Sequence, residues 1–254
     1  MISNSNPVFS TIPVETTHFD EVDAASYKGI TIKTSLLLLV TIAVAVLSAY
    51  LLPTMLNNNP TGLYVALGVS SFAGIFTVIF GRMSSRAAKY CSFIYSVMQG
   101  FALGIISAIC ELFVPGIASV AIFSTLIIFG VMLVLYATGV LRQGTFFRKL
   151  AFALSFGAIA LLIFIPLMSL FVHNLFDNLG LLIGLEAFFL IYGAITLIFN
   201  FDEASIVVNS GCTKDAEWSV SLGLIISIFY IYIEVLRLLL LILANRIIKN
   251  RGHN

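Results

Sequence analysis

Long apolar runs separated by short polar segments dominate this 254-residue chain and limit what it can fold into. A helix needs roughly 20 apolar residues to cross the hydrocarbon core of a bilayer. Seven runs approach or exceed that length, at residues 34–52, 61–80, 92–113, 116–138, 149–172, 179–208 and 218–245. No segment shows the short alternating pattern of a transmembrane β-barrel strand. We therefore expect an all-α, polytopic membrane protein, a seven-transmembrane-helix bundle that sits in the lipid bilayer.

The seven runs make one domain, residues 34–245, because neither flanking segment is long or apolar enough to fold alone. Residues 1–33 are polar, with four acids between Glu15 and Asp23, and predict a mostly disordered cytoplasmic tail. They lack the basic and then apolar order of a signal peptide. Residues 246–254 form a short basic C-terminal tail. We expect Pro53 and the segment Asn57-Asn58-Asn59-Pro60 to break the first span, because proline removes a helix hydrogen bond and asparagine favours turns.

Lysine and arginine fall mainly on one side of the predicted bundle, which indicates its orientation. Nine basic residues share that side: Lys28, Lys33, Arg82, Arg86, Lys89, Arg142, Arg148, Lys149 and Lys214. The other side has three, all in the C-terminal tail. Basic residues accumulate in the cytoplasm, so we expect a cytoplasmic N-terminus and an external C-terminus. Because the C-terminal tail is itself basic, a re-entrant last helix with both ends inside is the alternative.

Composition and motifs argue against several classes of function. The net charge of +1 gives no basic field that would attract nucleic acid. The three cysteines and three histidines form no CxxC pair or Cys/His cluster, so neither zinc nor a disulfide framework is indicated. No His-Glu-x-x-His, phosphate-binding Gly-Lys loop or Gly-x-Ser-x-Gly motif occurs. We expect no enzymatic activity and no cofactor.

The charges inside the apolar runs are the main candidates for function, since a charge in hydrocarbon costs roughly 2.5–3.5 kcal/mol on insertion scales. Asp202 and Glu203 follow an apolar stretch, and Ile206 begins another, so the helix should continue past both acids. Asp202 would then lie roughly 10 Å inside the cytoplasmic helix end. A protonation switch is one interpretation of this position. A simple interfacial acid is the other.

The last apolar run contains Glu234 and Arg237, whose spacing of three suits an ion pair within one helix. Together with Ser227 and Tyr230 they form a polar stripe along one helical face. A helix of this kind is normally central, with the stripe towards a cavity or partner helices. A structural pair that fixes helix register is the alternative. Gln99, well inside the third run, is a candidate hydrogen-bonding residue along a pathway.

Two other acids, Glu111 and Glu186, fall near predicted outer helix ends, where a carboxylate costs little free energy because it can reach water. Neither is therefore a candidate functional residue. The pairs Gly100/Gly104 and Gly180/Gly184 have the small-xxx-small spacing that lets helix backbones approach closely. Chance spacing of glycines is the alternative for each pair.

Several motifs together carry a resemblance that covers nearly the whole chain. They are Asn6-Pro7-Val8-Phe9, Ile32-Lys33-Thr34, the segment 95–104, the segment 136–142, Phe199-Asn200-Phe201-Asp202, Glu217-Trp218 and the segment 232–239. In their order and spacing the chain resembles the Bax inhibitor motif-containing membrane proteins, in particular their bacterial branch. The resemblance implies seven helices with the last one central, and a pH-sensitive calcium leak channel in a bacterial plasma membrane.

The resemblance also implies a gate, in which acids on the sixth and seventh helices bind a shared proton or an arginine of the second helix. Asp202 matches the sixth-helix acid. For the seventh helix, alignment on the arginine at position 237 selects Ser227, whereas alignment on the Tyr-x-acid pattern selects Glu234. The second-helix arginine would be Arg82 or its neighbour at position 86. The glutamate that the family often has at position 99 is a glutamine here.

Two functions follow from these residues. The first is a pH-sensitive cation leak centred on Asp202, Glu234 and Arg82, with calcium as the permeant ion and the two acids as its ligands. The second is a non-conducting regulatory protein that binds another membrane protein, such as a protease. Ser227 in place of a second acid favours the second function.

Overall fold

Six long helices make up most of the chain that the structure describes. The computed structural model describes residues 24–58, 60–140 and 179–251, with isolated positions 149, 153–154, 156–158, 160–161, 163–164 and 167. The helices are α1 (Tyr27–Asn58), α2 (Pro60–Met83), α3 (Ser85–Phe113), α4 (Ile117–Ala137), α5 (Leu179–Asn209) and α6 (Lys214–Arg251). Each is long and apolar enough to span a membrane. The predicted all-α membrane class is confirmed for these residues.

The bounds of α2, α4 and α5 lie within three residues of the predicted apolar runs, whereas α1, α3 and α6 extend up to seven residues beyond theirs. The predicted span 179–208 differs from α5 by a single residue. The predicted span 149–172 lies mostly outside the described residues, and those of its positions that are described are helical. The predicted break at Pro53 is wrong, because α1 continues through it, whereas the predicted break at residues 57–60 is confirmed, because α1 ends at Asn58. Membrane helices tolerate proline where neighbouring groups satisfy the freed carbonyl.

The bundle has two chemically distinct ends, which are named here by one residue each. The Lys33 end contains the beginnings of α1, α3 and α6 and the ends of α2, α4 and α5. The Glu186 end contains the opposite ends of the same helices. Helices joined by short connections therefore run antiparallel, whereas α4 and α5, which are 41 residues apart in the chain, run parallel.

Helices α1 and α3 approach closely at the predicted glycine pair Gly100/Gly104. A Cβ atom added at Gly100 would lie 2.7 Å from the carbonyl oxygen of Thr41, and one at Gly104 would collide with Ala45 and Ser48. Only glycine permits this backbone approach, so the small-xxx-small interpretation is confirmed here. For the pair Gly180/Gly184 it is not found, since a Cβ at Gly184 would meet nothing within 4 Å among the described residues.

Helix α6 packs against each of the other five described helices. Its buried side chains fall into two core clusters, one with α1 and α3 around Leu222 and Ile225, the other with α4 and α5 around Leu224 and Ile231. The helix is continuous from Lys214 to Arg251. A re-entrant last helix would need a reversal of the chain within that stretch, so the re-entrant alternative is wrong.

The residues just before α1 are attached to the turn between α5 and α6. The backbone N–H of Ala25 donates to the carbonyl of Cys212 at 2.7 Å. Glu217, which is fully buried, accepts from the N–H of Ser26 at 2.7 Å and pairs with Lys33 at 2.7 Å. The predicted tail 1–33 therefore includes structured residues from position 24 onwards, and residues 1–23 lie outside the described part.

Candidate functional site

The polar stripe predicted for the last helix faces α5. Ser227 accepts a hydrogen bond from the side chain of Asn200, and Tyr230 packs so closely on Gly193 that a Cβ there would lie 2.7 Å from its ring. Further along the stripe, Arg237 pairs with an acid of α5. The prediction that the stripe faces a cavity or partner helices is therefore confirmed.

Four side chains at the Lys33 end, Arg82, Asn200, Glu203 and Ser227, form a connected network that we call the Arg82 cluster. Arg82 Nη1 donates to both oxygens of Glu203, at 2.7 and 3.0 Å, and Nη2 donates to Asn200 Oδ1 at 3.2 Å. Asn200 Nδ2 then donates to Ser227 Oγ at 2.6 Å. The network joins α2, α5 and α6, and its one cation is balanced by one acid.

Gly223 of α6 makes room for this network. A Cβ atom at that position would lie 2.5 Å from Arg82 Nη2 and 2.6 Å from Asn200 Oδ1. The guanidinium group and the amide therefore rest directly on the α6 backbone. Any side chain at Gly223 would force both groups to move.

A cavity of about 460 Å³ lies beside the Arg82 cluster. All four cluster residues line it, and it continues along the groove between α5 and α6 past Tyr192, Thr196 and Tyr230. The ion pair of Arg82 with Glu203 is only partly shielded, with side-chain exposures of 39% and 36%. The charged groups are therefore accessible from the cavity and from the bundle surface.

Asp202, the strongest candidate from the sequence, is adjacent to this network but does not join it. Successive helical residues point about 100° apart, so Asn200 and Glu203 share a face that Asp202 leaves. Asp202 is half-buried and accepts a long hydrogen bond, 3.4 Å, from Tyr136 Oη of α4. Among the described residues it has no ion pair. The arginine of the second helix contacts Glu203 instead.

Glu234 and Arg237 lie at the Glu186 end with a third residue, Glu186, and we call these three the Glu186 cluster. Arg237 Nη2 lies 2.9 Å from Glu186 Oε1, and Nη1 lies 3.6 Å from Glu234 Oε1. Both acids are buried, at 5% and 4% exposure, whereas the arginine side chain is 56% exposed. The sequence predicted an interfacial position for Glu186, but the structure shows that this acid is buried and pairs with Arg237.

The predicted pairing of Asp202 with Glu234 is not found, and this corrects the shared calcium site. Glu186, which lies with Glu234, precedes Asp202 by 16 positions on the same helix. That separation is about 24 Å along the axis. Calcium ligands lie within about 2.6 Å of the ion, so one ion cannot bind both acids. Within the described residues no group of three or more His, Cys, Asp or Glu side chains could hold a metal.

A family model described as Bax inhibitor 1 like matches residues 6–244. The match covers every described helix except the last residues of α6. The chain belongs to the Bax inhibitor 1 like family. No curated protein and no solved structure matches it in the corresponding comparisons.

Gln99 lies apart from both clusters in this Bax inhibitor 1 like protein. It lines a separate cavity of about 390 Å³ between α2 and α3, together with Gly74 and Tyr95. Gly74 precedes Arg82 by eight positions on α2, about 12 Å along the helix. Gln99 therefore contributes no contact to the Arg82 cluster.

A signal in the sequence could have identified the α5 residues. Tyr192, Thr196, Asn200 and Glu203 recur at spacings of four, four and three, which place them on one helical face. The same rule, applied to the last helix, found its stripe correctly. On α5 the sequence analysis selected Asp202 from the two adjacent acids, whereas the helical spacing places Glu203, and not Asp202, on the polar stripe.

Proposed function

We propose that this Bax inhibitor 1 like protein is a pH-sensitive cation leak pathway, closed by the Arg82 cluster. The observation that carries the proposal is the contact of Arg82 with Glu203 and Asn200, which ties α2 to α5 and α6 beside the cavity. Protonation of Glu203 would remove the acceptor charge and release the guanidinium. The family resemblance supports calcium as the permeant ion.

We propose the same overall architecture as the resemblance implies, with seven membrane helices and α6 at the centre. The contacts of α6 with every other described helix support a central position. The helical positions between 149 and 167 support a further span there. We further propose a bacterial plasma membrane location with a cytoplasmic N-terminus, in keeping with the basic residues at the Lys33 end. The activity is permeation and not catalysis.

Calcium flux into proteoliposomes tests the leak and identifies its gating acid. We expect Glu203→Gln and Arg82→Gln to raise flux at neutral pH and to weaken its pH dependence, because either change breaks the ion pair. Asp202→Asn is the matched control, since it neutralises the adjacent acid on another helical face and should leave the flux near that of the wild type.

The outcomes are distinct. An effect of Asp202→Asn alone would assign the gate to the acid that the sequence favoured and would reject the Arg82 cluster. Flux equal to that of empty liposomes at every pH, for folded wild-type protein, would reject the leak altogether.

A second candidate function is a non-conducting regulator of another membrane protein, such as a protease. Ser227 favours it, because this neutral residue occupies the position where the resemblance calls for a second acid and is hydrogen-bonded to Asn200. Cross-linking in native membranes followed by co-purification tests this candidate. A specific membrane partner combined with absent flux would support it, and unaided conduction without a partner would reject it.

A further inference from the structure

The Glu186 cluster has more acid than base, which distinguishes it from a simple ion pair. Glu186 of α5 and Glu234 of α6 both direct one carboxylate oxygen towards Arg237. The second oxygen of each, Oε2, is fully buried and has no hydrogen-bond partner among the described residues. If both acids were ionised, the cluster would carry a net charge of −1 with two unsatisfied acceptors.

The surroundings offer little to neutralise that charge. From α6, Tyr230 and Arg237 face Glu234, and from α5, Glu186 faces it. Tyr192 of α5 lies edge-on to Tyr230. On α3, Glu111 accepts from the backbone N–H groups of Gly116 and Ala118 and is committed to the start of α4. Arg237 is thus the one cation that approaches the two acids among the described side chains.

A bound proton accounts for these features better than a bound metal ion. One proton on the pair brings the total charge of two carboxyl groups and one guanidinium group to zero. It also supplies the donor that a buried carboxylate oxygen needs, since an unpaired charge in a dry interior is costly. Two acids that share a site cannot both remain ionised at low cost. A calcium ion would need six to eight oxygen ligands and would lie beside the arginine.

We propose that Glu186 and Glu234 together bind a single proton at neutral pH, which makes the Glu186 end a second proton-binding site. The site is separate from the Arg82 cluster, and the proposal does not depend on the leak function. The proton keeps α5 and α6 in contact at this end. Its release at high pH leaves two like charges facing each other, which weakens that contact.

Infrared difference spectroscopy of the full-length protein in lipid tests the proposal directly. A protonated carboxyl group gives a C=O stretching band that an ionised carboxylate lacks, and ¹³C-labelled glutamate shifts the band when a glutamate carries the proton. We expect one such band in the wild type at neutral pH, with loss at high pH. Glu186→Gln and Glu234→Gln should each abolish it, because the remaining acid then pairs with Arg237 and ionises.

Matched controls separate this site from the others. Glu111→Gln removes an acid at the same end, and Glu203→Gln removes the acid of the Arg82 cluster, so both should retain the band. A wild-type protein without a protonated glutamate at neutral pH would overturn the proposal, as would a band that survives in both Glu186→Gln and Glu234→Gln. Calcium binding that disappears in both variants, with no carboxyl band in the wild type, would replace the proton by a metal ion. The infrared result for Glu186 and Glu234 is independent of the calcium flux assay, so failure of the leak proposal would leave this proposal standing.

Discussion

The two clusters at opposite ends of the bundle use similar side chains in opposite electrostatic situations. The Arg82 cluster joins one arginine to one acid and satisfies the remaining donors with an amide and a hydroxyl. The Glu186 cluster sets one half-exposed arginine against two buried acids and leaves an oxygen of each without a partner among the residues that the structure describes. The comparison teaches that the count of charges, more than their mere presence in a membrane helix, decides whether a site must take up a further ion.

The largest expected effect is on the free energy of unfolding when the arginine of each cluster is replaced. Arg237→Gln removes the one cation that reaches the two buried acids among the described side chains and should destabilise the protein by about 3 kcal/mol, as when a buried charge loses its partner. Arg82→Gln removes a partly exposed pair and should cost about 1 kcal/mol. Unfolding in mixed micelles at neutral pH measures both free energies. The loss for Arg237→Gln should shrink at acid pH, where both acids can be neutral, and equal losses for the two arginines would contradict the distinction.

Gly223 tests how tightly the Arg82 cluster is packed. Gly223→Ala should cost about 2 kcal/mol, in the range for overpacked cores, because the new methyl group would overlap Arg82 and Asn200. Gly130→Ala is the matched control, since a Cβ there meets nothing within 4 Å among the described residues. It should change the stability by less than about 1 kcal/mol, in the stabilising direction. Similar effects of the two substitutions would argue against close contact of the cluster with α6.

Neutralising one acid in each cluster sharpens the contrast in charge. Glu203→Gln removes the counter-ion of Arg82 and should cost about 1 kcal/mol, reduced by the exposure of that pair. Glu186→Gln leaves Glu234 and Arg237 as a balanced pair and should change the free energy of unfolding by roughly 0.5 kcal/mol or less. The same unfolding assay compares them. A greater loss for Glu186→Gln than for Glu203→Gln would mean that the excess acid stabilises its cluster.

The smallest effect concerns the acid that belongs to neither cluster. Tyr136→Phe removes the hydrogen bond to Asp202, which at 3.4 Å is long, and should cost about 0.5 kcal/mol. Calcium flux should stay at the wild-type level if Asp202 has no part in closing the pathway. A large change in either measurement would return Asp202 to the centre of the mechanism.

The sequence predicted much of the fold and only part of the site. Helix positions followed from apolar runs, because the bilayer fixes how many apolar residues a span requires. The close approach at Gly100 and Gly104 and the inward stripe of α6 also followed from spacing alone. The partners of that stripe did not. That Asn200 binds Ser227 and Glu186 binds Arg237 became identifiable only when α5 was seen to lie against α6.

The sequence by itself determined that this protein lies in a lipid bilayer, that it is all-α, and which face of the last helix is polar. These depend on local periodicity and on the cost of exposing backbone and charge to lipid. What only the tertiary structure decided is which charges meet. A rotation of about 100° around the α5 axis separates Glu203 from Asp202. A distance of about 24 Å along that axis, from 16 residues at 1.5 Å each, separates Asp202 from Glu186. The sequence alone does not give the rotation of a helix about its axis or its axial position relative to a neighbouring helix, because both are set by packing between helices.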